Sequence, residues 1–133
     1  MRRIGLVLVV TLALALVIGC ETRNAVTGTL TYREDVALPS EGVMVSVKVE
    51  DTSKADVAAV TIGEQVIENP AQQVPIPFEV TYDPSDIDER NTYAIRVRIE
   101  VDGKLWFLNT SAYQVITRGS PSDGIEVVLE KVG

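Results

Sequence analysis

Valine occupies every second position in Val43-Met44-Val45-Ser46-Val47-Lys48-Val49-Glu50, and the residues between become polar toward its end. Side chains alternate between faces with a period of two in a strand, against 3.6 in a helix. Only an extended chain sets those four valines on one side, so one face enters a core and the other meets water. Tyr93 to Val101 repeats the pattern, with Tyr93, Ile95, Val97, Ile99 and Val101 inward and Arg96, Arg98 and Glu100 outward. The chain is therefore read as all-β.

Further strands are predicted at Val26–Tyr32, Val57–Ile67, Val74–Tyr82, Lys104–Leu108, Tyr113–Thr117 and Ile125–Val132. Asp102-Gly103 joins two of them, a dipeptide suited to the positive φ that a type I′ turn requires, so the flanking strands should form an antiparallel hairpin. About seven or eight short strands with regular turn signals predict an antiparallel β-sandwich rather than a closed barrel. Pro75 and Pro77, two apart, remove N–H groups from the same side of one strand, which marks a sheet edge. Asp83-Pro84-Ser85-Asp86-Ile87 reads as a short helical turn, with Asp83 as cap and Tyr82 stapled to Ile87.

The N-terminus carries a different signal. Arg2-Arg3, an apolar run from Ile4 to Ile18, and Leu16-Val17-Ile18-Gly19-Cys20 make up a lipoprotein signal peptide ending in a lipobox. The run is shorter than the ~20 apolar residues of a membrane-crossing helix. Cleavage leaves Cys20 as the lipidation site and 114 of the 133 residues, enough for one domain. The expected organisation is a signal peptide over 1–19, a lipidated tether over 20–25 and a β-sandwich domain over 26–133. Cys20 is the only cysteine, so no intramolecular disulfide can form. Multiple acyl chains at ~0.8 kcal/mol per buried CH₂ would make the anchoring permanent.

Losing Arg2 and Arg3 takes 12 basic residues to 10 against 19 acidic ones, a formal charge of −9. A phosphate backbone demands clustered Lys and Arg, so nucleic acid is excluded as a partner. No histidine occurs and the only thiol is the acylation site, which leaves nucleophilic catalysis without its usual base and zinc without its usual ligands. No glycine-rich phosphate loop appears. The chain is read as a non-enzyme without cofactor or metal. Asp83, Asp86, Asp88 and Glu89 lack EF-hand spacing, and a solvated, capped turn explains them.

Arg96 and Arg98, with Lys104, form a small basic stripe expected to pair with acids on neighbouring strands. Leu105-Trp106-Phe107-Leu108 places large apolar side chains on both faces of one strand. Cover by the opposite sheet and by the loop Asn109 to Ala112 is the favoured explanation. Otherwise the strand meets a partner, with Trp106, aided by Leu108, as the contact, since aromatic anchors are enriched at binding hot spots.

Val26-Thr27-Gly28-Thr29-Leu30-Thr31-Tyr32-Arg33, Val49-Glu50-Asp51, Pro75-Ile76-Pro77-Phe78, Tyr82-Asp83-Pro84, Asp102-Gly103-Lys104-Leu105 and Tyr113-Gln114-Val115-Ile116-Thr117-Arg118-Gly119 follow one another in the order of a known pattern. With them the chain resembles the YbaY-type lipoproteins, which are grouped with the YscW-type secretion lipoprotein chaperones, or pilotins. The resemblance implies a β-sandwich lipoprotein on the periplasmic face of a Gram-negative outer membrane; Glu21, acidic but not aspartate, fits that sorting. Its pilotin members escort a secretin, a ring-forming outer-membrane channel subunit. The function expected is that of a membrane-anchored secretion-accessory or assembly chaperone with a protein partner. The alternative is a structural or ligand-binding envelope module that recognises glycan or another cell-wall component.

Overall fold

The computed structural model describes residues 24–132. The expected signal peptide, Cys20, the first part of the expected tether and Gly133 lie outside the described residues. Eight strands follow in order: β1 Ala25–Tyr32, β2 Val43–Asp51, β3 Val60–Glu68, β4 Ile76–Thr81, β5 Tyr93–Val101, β6 Lys104–Leu108, β7 Gln114–Val115 and β8 Ile125–Lys131. A 3₁₀ turn, Pro84–Asp86, separates β4 from β5. The described residues include no helix long and apolar enough to cross a membrane.

The alternating runs act as their spacing requires. Val43, Val45, Val47 and Val49 of β2 and Tyr93, Ile95, Val97, Ile99 and Val101 of β5 are all buried, and the two strands pair antiparallel from Val43↔Val101 to Asp51↔Tyr93. Each fully buried apolar side chain of this size contributes about 1.5–3 kcal/mol relative to exposure. Val26 and Leu30 of β1, Ile76, Phe78 and Val80 of β4, and Val127 and Leu129 of β8 close the core from the other side. Tyr32 stacks on Phe107 across it, ring centroids 4.0 Å apart.

The strands run β3-β2-β5-β6-β8-β1-β4, with β7 pairing the start of β5. β8 joins the two halves. Ile125–Leu129 pairs parallel with Gly28–Tyr32, and Lys131 and Glu130 pair antiparallel with Phe107 and Leu108. The two layers of the sandwich thus form one nearly closed, barrel-like sheet. Its open edges, β3 and β4, face each other across a seam. There the Glu79 N–H donates to the Gln65 side-chain oxygen at 2.7 Å, and Gly63 packs so tightly that a Cβ would stand 2.5 Å from the Thr81 carbonyl.

The Asp102-Gly103 turn has φ of 50° and 80°, and β5 and β6 form the expected antiparallel hairpin. Asp83 caps the 3₁₀ turn by accepting from the Ser85 N–H at 2.9 Å, while Tyr82 and Ile87 both lie half-buried against the core. Several boundaries move inward. β3 starts at Val60 rather than Val57, and β4 at Ile76, so Pro75 precedes the strand. Pro77 alone lies within it, facing Thr29 of β1. The N–H groups of even-numbered β4 positions point to β1 and that of Glu79 to the seam, so the N–H that Pro77 lacks is also on the seam side. β7 is cut to two residues because Ile116 and Arg118 take φ of 73° and 61°, left-handed values that no strand continues through.

Candidate functional site

β5 is nine residues long, and two short strands share its far side: β6 against Arg98–Val101 and β7 against Tyr93 and Ala94. Between them the middle of β5 needs other partners, since buried backbone polar groups left unpaired are costly. Asn109 supplies them. Its Oδ1 accepts from the Val97 N–H at 2.7 Å, and its Nδ2 donates to the carbonyls of Ile95 and Ser111, both at 3.0 Å. The Ile95 N–H donates to the Tyr113 carbonyl at 3.1 Å. The amide side chain stands in for a missing strand residue and fixes the 109–112 loop against β5.

That loop walls a cleft of about 260 Å³ whose other sides are Glu50, Thr52, Ala94, Ile95 and Arg96. Glu50 follows the last inward valine of β2, and its side chain is only 10% exposed. Arg96 Nε donates to Glu50 Oε1 at 2.8 Å while the Arg96 side chain remains 61% exposed. Among the described residues neither Glu50 Oε2 nor either Arg96 Nη makes a hydrogen bond or ion pair. Lys48 stands directly opposite Arg96 on β2. Like charges in that arrangement are destabilising, and Glu50 supplies the offsetting charge. The cleft floor thus presents a nearly buried acceptor beside an outward donor fork. Thr52, Thr110 and Ser111 bring hydroxyls to the walls.

The residues singled out from sequence fall in several places. Arg96 makes the expected cross-strand pair, with Glu50; Arg98 instead pairs along its own strand with Glu100 at 3.2 Å. Trp106 is the extra residue of a bulge, as Ile99 pairs with Phe107 and Glu100 with Leu105, leaving no partner opposite it. It is half-buried and packs against the core, and its carbonyl accepts from the Val132 N–H at 2.8 Å. Phe107 is fully buried, whereas Leu105 and Leu108, paired with Glu100 and Arg98, are half-buried on the outer face. The 109–112 loop lies beside β5 and walls the cleft. Val132, 37% exposed, adjoins Trp106 and extends the apolar surface of β6.

The acidic turn is occupied by its own neighbours. Arg90 grips Asp88 through Nε at 3.1 Å and Nη2 at 2.9 Å, and its backbone N–H donates to Oδ1 at 2.9 Å, holding the Asp88 carboxyl down at about 2. The backbone N–H of Ser85, then its hydroxyl, lowers the carboxyl of Asp83. No group of three or more His, Cys, Asp or Glu side chains among the described residues is placed to hold a metal. Other hollows lie beside Asp51, Val57 and Val60 and, with a mainly apolar lining, at the seam between Ile67, Pro70, Ile76 and Pro77.

Glu50 and Asn109 are absent from the sequence expectations as site residues. Glu50 had a faint signal, an acid at the end of an apolar alternation, but its partner lies 46 positions away. Asn109 reads locally as an ordinary loop residue.

Three likenesses bear on this arrangement. Residues 21–127 match the family described as type III secretion system lipoprotein chaperone (YscW). The chain is 27% identical over 103 residues to the uncharacterised lipoprotein YbaY of Escherichia coli K12, covering 77% of this chain; it spans about half, 54%, of that relative's length. The fold superposes with a TM-score of 0.79 on an alternative pilotin from the type II secretion system of Vibrio cholerae, at 35% identity over 84% of this chain and 99% of that one. An all-β, nearly closed sheet whose sequence matches the profile across most of its length belongs to the YscW family of secretion-system lipoprotein chaperones.

Proposed function

We propose that this chain is a lipid-anchored envelope lipoprotein that escorts a subunit of a secretion channel to the outer membrane, as a pilotin does. The observation that carries this reading is the likeness to the Vibrio cholerae pilotin, which extends over nearly all of that protein's length. In this reading Cys20 is acylated and the domain stands on the periplasmic face.

The geometry supports the anchoring. Asn24 is tied to the domain by the Tyr82 N–H, which donates to its carbonyl at 3.1 Å. Three residues lie between Cys20 and Asn24, and four fully extended steps span at most about 14 Å. The acyl chains therefore hold the end where β1 begins close to the bilayer. β8 runs parallel to β1, so its last residues and the first residues of β6 lie at the opposite end. Leu105, Trp106, Leu108 and Val132 gather toward that outer end and are the proposed partner contact.

Crosslinking in cells, with mass spectrometry of the captured proteins and the Cys20→Ala form as control, tests the reading. Lipidation-dependent capture of an outer-membrane channel subunit is expected. Capture of abundant envelope proteins alone overturns it. Trp106→Ala should abolish capture while still folding, with a lowered midpoint because the half-buried ring also packs against the core; capture retained by the folded variant assigns Trp106 to the core alone.

A further inference from the structure

We propose that the Glu50–Arg96 cleft is a binding site for a neutral sugar ring, recognised through two adjacent hydroxyls. This inference stands on the cleft alone and not on the escort role. A carboxylate that is nine-tenths buried costs free energy unless its oxygens are bonded, and Arg96 satisfies only Oε1. Oε2 calls for a donor, while the two Nη groups of Arg96 call for acceptors. Neighbouring hydroxyls of one ring answer both, one donating to Oε2 and the next accepting from Nη. Charge-assisted bonds of this kind are the strong ones.

The surroundings favour a neutral ligand over a charged one. The Glu50 charge opposes an anion, and the Arg96 and Lys48 charges oppose a cation. Ser111, whose hydroxyl makes no hydrogen bond among the described residues, and Thr52 and Thr110 offer further polar contacts on the walls, while Ala94 and Ala112 give a small apolar surface for ring C–H groups. At about 260 Å³ the cleft falls just below the ~300 Å³ lower bound for drug-sized ligands, which suits one ring. The site is also preorganised: the Asn109 amide, accepting one hydrogen bond and donating two, and the Thr110 hydroxyl, donating to Glu130 at 2.6 Å, fix its loop before any ligand arrives.

The test is a titration of the mature lipidated protein, held in a detergent without a sugar headgroup, with glucose and N-acetylglucosamine, both of which carry neighbouring free ring hydroxyls, and with L-alanine as a zwitterionic control. Amide and Arg Nε–Hε resonances report the binding. Saturable shifts confined to residues 50–52, 94–96 and 109–112 are expected, with affinity falling about tenfold or more in Arg96→Ala and in the near-isosteric Glu50→Gln. An unchanged amide spectrum away from the cleft certifies that each variant is folded. Shifts that fail to saturate, that fall elsewhere, or that persist undiminished in both variants overturn the proposal, as does saturable binding of the L-alanine control at the cleft with no binding of either sugar.

Discussion

Single residues close the gaps that short strands leave in this sheet. Asn109→Ala removes an acceptor from the Val97 N–H and a donor from the Ile95 carbonyl, both in the middle of β5. A buried polar group left without its partner costs about 1–3 kcal/mol, and about 1 kcal/mol moves the midpoint of a domain this size by roughly 4–8 °C. Thermal unfolding of Asn109→Ala should therefore start well below the parent. Asn109→Asp, which keeps the acceptor and loses the donor, should fall between the two. A melting temperature for Asn109→Ala equal to the parent's would show that water replaces the side chain freely. Asp88 gives a second residue-scale test. Its carboxyl sits at about 2 in the folded protein against ~3.9 in a free chain. A depressed carboxyl stabilises above the unfolded value and loses that contribution as pH falls through the folded one. The Asp88 side-chain ¹³C signal should titrate near pH 2, and Asp88→Asn should show a shallower loss of stability between pH 4 and 2 than the parent.

The strands divide sharply by how far away their determinants lie. β2 and β5 were legible almost to the residue, because nine alternating positions state both a strand and its inward face without reference to anything else. The Asp102-Gly103 hairpin was legible for the same reason, its two positive φ values being demanded locally. The parallel pairing of β8 with β1, which converts a sandwich into a nearly closed sheet, was not, since it joins segments about 100 positions apart and parallel register carries no turn signal. The bulge at Trp106 was hidden as well: four apolar residues in a row read as a strand with two apolar faces, whereas the tryptophan is an extra residue without a cross-strand partner, half-buried against the margin of the core. The cleft needed both an acid on β2 and an arginine on β5, and each alone reads as a solvated surface residue. Edge strands β3 and β4 offer the element-scale prediction. Gln65→Ala removes the acceptor of the Glu79 N–H across the seam, at a cost of about 1 kcal/mol. Exchange of the Glu79 amide with solvent should accelerate severalfold while amides of β2 and β5 hold their rates. Equal acceleration throughout would mean the seam opens only when the whole domain unfolds.

At the scale of the whole molecule, the proposed acylation of Cys20, so few residues from Asn24, amounts to an orientation. Asn24, the end of β4 at Thr81, and Ser122, whose carbonyl accepts from the Thr27 N–H at 2.9 Å, lie together where β1 begins. The Asp102-Gly103 turn lies at the other end, since β5 ends and β6 begins there. A strand advances about 3.3 Å per residue, so the seven residues of β8 alone set the two ends roughly 20 Å apart. Cys20 is the only cysteine of the sequence, so once it is acylated a cysteine introduced at Ser122 or at the exposed Lys104, beside the turn, takes a nitroxide or fluorophore uniquely. In proteoliposomes of the lipidated protein, a label at Ser122→Cys should be quenched by headgroup-attached probes, and one at Lys104→Cys should remain unquenched and open to aqueous quenchers. Equal quenching at both positions would mean that the domain lies on its side or tumbles on its tether. The surface around Trp106 and Val132 would then not be held out toward a partner, and the escort reading would lose its geometric support.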